Sequence, residues 1–360
     1  AGVAETLGRG DTKMSVRMDT GLQIDLRVVP RESFGAAWQY FTGSKDHNVE
    51  LRRRAKQRGL KINEYGVFRV EGATEHYLAG QSEEEVYGAL DLPVFPPEIR
   101  EARFEFRWAE NGPLPRLVEE ADILGDLHMH TTATDGTASL EAMAQAARTR
   151  GLKYIAITDH SQRVAMVRGL TPDRLLQQWA CIDRLNAELA GSLTVLKGVE
   201  CDILERGGLD LPDDVLAQAD WVVASIHFGH RQPRDRITAR LLEALAHPYV
   251  SAIAHPTGRA INYRDSYDVD MEAVLRAASV HGKFMELNAN PSRLDLDDVH
   301  CAAAKELGVL VVINTDAHSV RDLALMRHGV QQARRGGLTH ADVANTREWD
   351  ELKPRIGRRR

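Results

Sequence analysis

The 360-residue chain predicts an α/β fold, a parallel (β/α) barrel behind a smaller α+β piece. From about residue 125 onward, short apolar β-branched runs alternate seven times with longer segments of helical period. Such alternation makes right-handed βαβ units and a parallel sheet. Residues 1 to about 110 do not alternate in that way, and the length exceeds one ordinary domain. Seven units are about what a closed or nearly closed barrel requires, with an open doubly wound sheet as the competing architecture.

In order along the chain, "MSVRMD" and "LQIDLRVVP" read as neighbouring strands across a turn at Asp19-Thr20-Gly21. "ESFGAAWQYFTG" and "DHNVELRRRAKQRG" read as helices, followed by "KINEYGVFRV" as a strand. The next segment carries five prolines and an acid-rich end, which places a linker at 96–121. The barrel strands are "ILGDLHMH", "YIAITDH", "LTVLKGVECDI", "WVVASIH", "VSAIAHP", "KFMELNAN" and "VLVVINTDAH". Helices between them start at signals such as Thr171-Pro172 and Asp297-Asp298 and stop at glycines 151, 191, 282 and 308. A final helix, "VRDLALMRHGVQQARRGG", closes the series, and 346–360 reads as a C-terminal tail.

A charged fraction of 27% and a net charge of -6 give no global attraction to nucleic acid or anionic membrane, so polyanion binding has to come from local patches. Cys181, Cys201 and Cys301 are odd in number and scattered, which fits a reducing cytoplasm without disulfides. No export signal or long apolar run is present, so a cytoplasmic chain with no membrane partner is expected. The chain opens at Ala1 without an initiator Met, as a fragment of something longer would.

Histidines and acids recur at the C-terminal ends of the expected strands: His128, His130 and Asp135, then His160, Glu200, His227 and His255, then Asp316 and His318. In a barrel all these ends share one rim, where barrel active sites form. Any one of them could be an incidental polar residue. Nine together, unpaired at low dielectric, are costly unless cations hold them. Imidazole mixed with carboxylate suits Zn, Mn or Fe and disfavours an all-oxygen Mg or Ca cage. Nine side chains exceed the needs of one ion, so two to three divalent ions, Mn2+ or Zn2+ with Fe possible, are expected around a bridging Glu200 or Asp316. Such a cluster suits phosphoester hydrolysis, with Glu200, Asp316, His128 and His130 as the catalytic candidates.

The motifs "DLHMHT..TDG", "AITDHS", "KGVECDI", "ASIH", "AHP" and "TDAHS", in this order, resemble the PHP (polymerase and histidinol phosphatase) domain over about residues 122–345. The resemblance implies a distorted seven-stranded barrel holding up to three metals. It further implies that His128, His130, Glu200 and Asp316 surround one ion, Glu200, His227 and His255 a second, and Asp135, His160 and His318 a third. Residues 1–95, with "GLQIDLRVVP" and "YFTGSKDHNVELRRRAKQRGLKINEYGVF", are similar to the palm and thumb of family X DNA polymerases, whose bacterial members carry a PHP domain. The fold class is then α/β, a PHP barrel preceded by an α+β polymerase palm/thumb fragment. By that resemblance Asp25 is the last of three palm carboxylates, Tyr40, Phe41, Thr42 and Gly43 form a sugar-reading turn, and Asp46 and Asn48 lie near the base. The other two carboxylates and the remaining polymerase domains would precede Ala1, so primer extension is not expected.

The resemblance implies a 3′–5′ exonuclease or DNA 3′-end-processing phosphodiesterase in repair, acting on gapped or damaged 3′ ends. A phosphomonoesterase of the histidinol phosphatase type and a non-catalytic metal-stabilised module are the alternatives. Arg168, Arg259 and Arg293 follow ligand-bearing strands closely enough to meet phosphate. The cluster Arg52, Arg53, Arg54, Lys56, Arg58 and Lys61 is a second candidate for DNA backbone, whereas the C-terminal "GRRR" reads as disordered and "RGD" at 9–11 as chance. Cys201, beside Glu200, reads as packing.

Overall fold

The chain opens with three antiparallel strands, β1 (Val3–Arg9), β2 (Lys13–Met18) and β3 (Gln23–Arg27). This computed structural model describes residues 2–356, divided into two units between Pro115 and Arg116. After the first sheet come helices α1 (Phe34–Phe41) and α2 (Lys45–Gln57). Ser44 starts α2 by accepting from the backbone N–H of His47 at 3.0 Å. The stretch read as one strand, "KINEYGVFRV", is instead a hairpin of β4 (Leu60–Asn63) and β5 (Gly66–Glu71), because Asn63 accepts from the Tyr65 N–H at 2.9 Å and Gly66 has φ +150. A third strand, β6 (Thr74–Ala79), joins β5, and α3 (Glu83–Gly88) follows.

The segment 96–121, expected as a linker, is a linker only in small part. Residues 97–111 fold onto the first unit and include α4 (Glu105–Asn111). His47, Leu51 and Ala55 form the buried stripe of α2 at helical spacing. His47 hydrogen-bonds Glu105 through Nδ1 at 2.8 Å and the Tyr87 hydroxyl through Nε2 at 3.0 Å, and Phe106 stacks on its ring at 4.9 Å. The prolines thus bend the chain around a core that needs Glu105 as a polar partner.

In the second unit every expected apolar run becomes a strand: β7 (Gly125–Asp126), β8 (Tyr154–Ile157), β9 (Thr194–Asp202), β10 (Trp221–Ser225), β11 (Ala252–Ile253), β12 (Phe284–Asn288) and β13 (Val311–Asn314). Between and after them lie α5 (Leu140–Thr149), α6 (Pro172–Leu189), α7 (Asp213–Leu216), α8 (Arg234–Ala246), α9 (Met271–His281), α10 (Asp298–Glu306) and α11 (Met326–Arg335). The strands are parallel and lie in sequence order, without the reversal of strand order that a doubly wound sheet needs. The outer strands approach each other past their ends: Met129 bridges Ala317, the His130 N–H donates to the Ala317 carbonyl at 2.8 Å, and Thr315 donates to Asp126 at 3.2 Å. The result is a nearly closed seven-stranded barrel.

The two-residue repeat of a strand divides the barrel interior by height. Leu196, Trp221, Val223, Phe284 and Val312 build an apolar inner cluster toward the strand starts. Continuing on the same faces, Glu200, His227, Glu286, Asn314 and Asp316 occupy the strand ends. Residues 346–356, expected as tail, are packed: after α12 (Trp349–Leu352), Leu352 and Ile356 complete the inner cluster. Their apolar side chains cover the strand starts, which would otherwise be wet. The "GRRR" stretch, 357–360, lies outside the described residues. Among the described residues no helix is long and apolar enough to cross a membrane.

Candidate metal centre

The nine strand-end residues meet in one place. Glu200, nearly fully buried at the end of β9, is the hub: Oε1 faces His255 Nε2 at 2.9 Å and His227 Nε2 at 3.3 Å. Its Oε2 faces His160 Nδ1 at 2.8 Å, His128 Nε2 at 3.5 Å and His130 Nε2 at 3.7 Å. Asp316 lies 3.1 Å from His130 and 3.6 Å from His128. Asp135, from the loop after β7, lies 3.4 Å from both His160 and His318 and 3.8 Å from His130. Three sets of ligand atoms are mutually within 4.8 Å: His130, Asp135, His160 and His318; His128, His130 and Asp316; His160, Glu200 and His227. His130 and His160 therefore each stand in two sets.

Several of these approaches are short without being hydrogen bonds. His128 Nε2, His130 Nδ1, His160 Nδ1, Asp135 Oδ1 and Glu200 Oε2 are buried with no hydrogen-bond partner. Leaving five such atoms unpaired costs about 1–3 kcal/mol each. Unpaired donors grouped in this way, two at Glu200 Oε2 and one at Asp135 Oδ1, are what divalent cations need, and the N/O donor set fits Zn, Mn or Fe.

Without cations, protons satisfy the cluster only in part, at His128, His160 and His318 but not at His130 and His255. Burial works against charge on His128, but Glu286, Asp316 and Glu200 together hold its pKa well above the ordinary histidine value. Against the same burial, Glu200 and Asp135 push His160 up to about 10, and Asp135 and Asp316 push His318 up to about 9. Burial and the neighbouring His160 take His130 down to about 4, while burial and Arg293 do the same to His255. Burial would raise Glu200, yet His227, His160 and His128 keep it well below the carboxylate range. The backbone is also held in place for this site, since His255 at φ +28 and Asp316 at φ +52 occupy the left-handed region that side-chain-bearing residues avoid.

Other residues orient these side chains. Glu286, from β12, accepts from His128 Nδ1 at 2.7 Å and from the His255 N–H at 2.7 Å. Asp202 accepts from His227 Nδ1 at 3.1 Å and from the His227 N–H at 3.0 Å. Carboxylate partners of this kind set tautomer and ring orientation in metal-binding histidines. Sequence reading missed both. Their signal was an acid two residues from another polar position within an otherwise apolar strand: Glu286 before Asn288, and Asp202 after Glu200.

The three arginines expected at phosphate divide in role. Arg293 Nε is 3.4 Å from Asp316 Oδ2, at the cluster itself. Arg168 instead donates to the Thr132 and Thr134 carbonyls at 3.1 and 2.8 Å, tying down the loop that carries Asp135. Arg259 donates to the Arg293 carbonyl at 2.7 Å and to that of Leu294. Cys201 is buried in the core, with Sγ 3.1 Å from Asp210.

In the first unit Asp25 is exposed on β3, bonded by Ser15 and, at 3.1 Å, by Gln23. Gly43 has φ +105, and a Cβ there would lie 2.6 Å from the Arg100 Cβ, so the turn requires glycine. Asn48, expected beside a base, uses both ends of its amide within the protein: it donates to the Tyr40 carbonyl at 2.8 Å and accepts from Gln39 at 2.9 Å. Phe41 is exposed, with its ring 5.0 Å from Tyr40 and the Arg27 guanidinium 4.6 Å above it. In the basic cluster Arg53 and Arg54 pair with Glu50, Arg58 with Asp91 and Lys61 with Glu75, so much of its charge is already matched.

Family models match the chain at residues 37–101, as the DNA polymerase beta thumb, and at 126–290, as the PHP domain. Asp316 and His318 lie beyond the second match. The DNA polymerase/3'-5' exonuclease PolX of Bacillus subtilis is 44% identical over 353 residues, covering 98% of this chain and 61% of the relative, so the chain spans under two thirds of that protein. A probable phosphatase of Thermoanaerobacter sp. is 32% identical over 249 residues, covering 64% of this chain and 96% of the relative. A histidinol phosphate phosphatase from Lactococcus lactis, solved with zinc, L-histidinol and phosphate, matches at TM-score 0.44 and 16% identity, covering 61% of this chain and 98% of that one. With a beta-type thumb and a seven-stranded PHP barrel in one chain, and these relatives, the chain belongs to the family X DNA polymerases that carry a PHP domain.

Proposed function

We propose that this chain is a metal-dependent phosphodiesterase that removes nucleotides from the 3′ ends of DNA, at gaps or damaged termini, in repair. The observation that carries the reading is the set of five buried, unpartnered ligand atoms: His128 Nε2 and His160 Nδ1 facing Glu200 Oε2, and His130 Nδ1 facing Asp135 Oδ1. The name of the B. subtilis relative includes the same 3′–5′ exonuclease activity.

In this reading His128, His130, Glu200 and Asp316 hold one divalent ion, Glu200, His227 and His255 a second, and Asp135, His160 and His318 a third, as Mn2+ or Zn2+. When bound, such ions supply Lewis acidity toward phosphate oxygens and bring the pKa of water near neutrality. Glu200 fixes the spacing of the imidazoles around it. Asn288 donates to Asp316 Oδ2 at 3.0 Å and Arg293 approaches the same oxygen, which orients this carboxylate and puts a guanidinium where phosphate charge needs pairing. A water oxygen bonds to phosphorus as the bond to the 3′ oxygen of the preceding sugar breaks. That oxygen leaves as a 3′-hydroxyl, and a 5′-nucleotide is released.

The test incubates the purified chain and its Glu200→Ala variant with Mn2+ and a 5′-labelled single strand, with histidinol phosphate in parallel. Stepwise shortening by the parent chain and none by the variant is the expected result. Phosphate release from the small substrate alone, or silence on both with metal bound, overturns it.

A further inference from the structure

Beside the metal cluster, the loop after β11 folds into a tight turn that the hydrolytic reading does not use. Ala260 bridges Arg264, and the Ala260 carbonyl accepts from the N–H groups of Tyr263 and Arg264 at 2.9 and 2.7 Å. The Arg264 guanidinium donates to the Gly258 carbonyl at 3.0 and 2.8 Å. The turn is fastened to the next strand-end loop: the Ile261 N–H donates to the Ser292 carbonyl at 2.6 Å, and Arg259 holds the Arg293 carbonyl at 2.7 Å. Arg293 is the residue whose side chain reaches Asp316, so turn and metal cluster are joined through one loop.

On this rigid support Tyr263 is 88% exposed, more than any other large apolar or aromatic side chain among the described residues. Within them its ring stacks on nothing and its hydroxyl has no side-chain partner. A single exposed aromatic is ordinary on a mobile surface. Here the backbone beneath is held by bonds on both sides, Ile261 is also partly exposed, and residues 259–266 line an open cleft of about 590 Å3. An unpartnered aromatic ring on a fixed backbone, with Arg259 and Arg264 lining the same cleft, has the composition of a single-strand platform, where bases stack on the ring and the backbone follows positive charge.

We propose that the 260–264 turn is the nucleobase platform of the barrel's site, with Tyr263 stacking on a base of a single-stranded DNA 3′ end. This rests on the exonuclease reading and assigns its strand-binding subsite. A platform that grips the base makes hydrolysis prefer base-bearing strands to the same strands with abasic 3′ residues.

The experiment compares kcat/KM in Mn2+ for an oligothymidylate and for the same strand with abasic residues at its 3′ end, in the parent chain, Tyr263→Ala and Tyr263→Phe. The parent prefers the base-bearing strand by about 5- to 150-fold, the range for one base–aromatic stack. Tyr263→Ala brings the preference close to one, and Tyr263→Phe keeps it. A fold defect would lower both substrates together, leave the preference intact and count against the platform. A parent that degrades both strands equally also overturns it while leaving the exonuclease reading in place. A parent that degrades neither strand overturns both.

Discussion

Glu286→Gln tests how far the cluster depends on its supports. The Glu286 carboxylate is buried and faces donors only. Oε1 accepts from His128 Nδ1 at 2.7 Å and Asn314 Nδ2 at 2.9 Å, and Oε2 accepts from the His255 N–H at 2.7 Å and Asn288 Nδ2 at 3.3 Å. Glutamine replaces one of these oxygens by an amide NH2, which in either orientation leaves two donors facing hydrogens. The neighbours cannot adjust by turning over. Asn314 Oδ1 accepts from the Leu127 N–H at 2.9 Å, while Asn288 also donates to Asp316 at 3.0 Å and accepts from the Asn290 N–H at 3.1 Å. At about 1–3 kcal/mol per buried unpaired donor, the change costs about 2–6 kcal/mol. At about 2–4 °C per kcal/mol, the barrel's melting midpoint falls by about 4–24 °C. With His128 and His255 no longer oriented, the Mn2+ concentration for half-maximal hydrolysis rises about 10- to 100-fold. Calorimetry and a metal titration of the hydrolytic rate measure the two effects. An unchanged melting midpoint together with an unchanged metal requirement refutes the role given to Glu286.

Arg168→Ala removes the two bonds to the 132–134 carbonyls and so loosens Asp135. It is expected to lower metal content per chain, read by elemental analysis, rather than to raise KM for DNA, and the opposite pattern returns Arg168 to the phosphate role. For pH, His160 at about 10 and His318 at about 9 are raised above an unfolded value near 6.5. Their contribution to the stability of the metal-free protein is complete below pH ~6.5 and lost as pH rises toward 10. The metal-free melting midpoint therefore falls between pH 7 and 10, whereas metal affinity climbs over the same interval because the ligands must lose protons to bind. A metal-free midpoint that rises with pH would show that the carboxylates do not hold these protons.

The barrel was legible because its signals are local. A strand buried on both faces must be apolar, and a helix laid on a sheet must be amphipathic, so each "YIAI" or "WVVAS" run is visible without knowledge of its neighbours. The nine residues that meet at the rim were legible because all but Asp135, which comes from the following loop, end such a run, and parallel strands share one rim. The first unit was less so. The Asn63–Gly66 turn and β6 lie among polar, exposed residues that carry little periodicity, and five prolines suggested a linker where α4 and Glu105 instead complete a core.

The sequence by itself determined the chemistry available: which side chains could ligate, in which order, and on which strands. Tertiary structure decided what each one does. Glu286 and His128 are 158 positions apart and Asp126 and Thr315 are 189 apart, and pairings over such separations leave no local pattern. Only the closing of the barrel makes Glu286 a support for two histidines, turns Arg168 from phosphate toward the Asp135 loop, and packs Leu352 and Ile356 beneath the strands. Strand and helix periods are set by covalent geometry within a few residues, whereas the partner of a buried polar atom is set by whichever distant segment can satisfy it when the core forms.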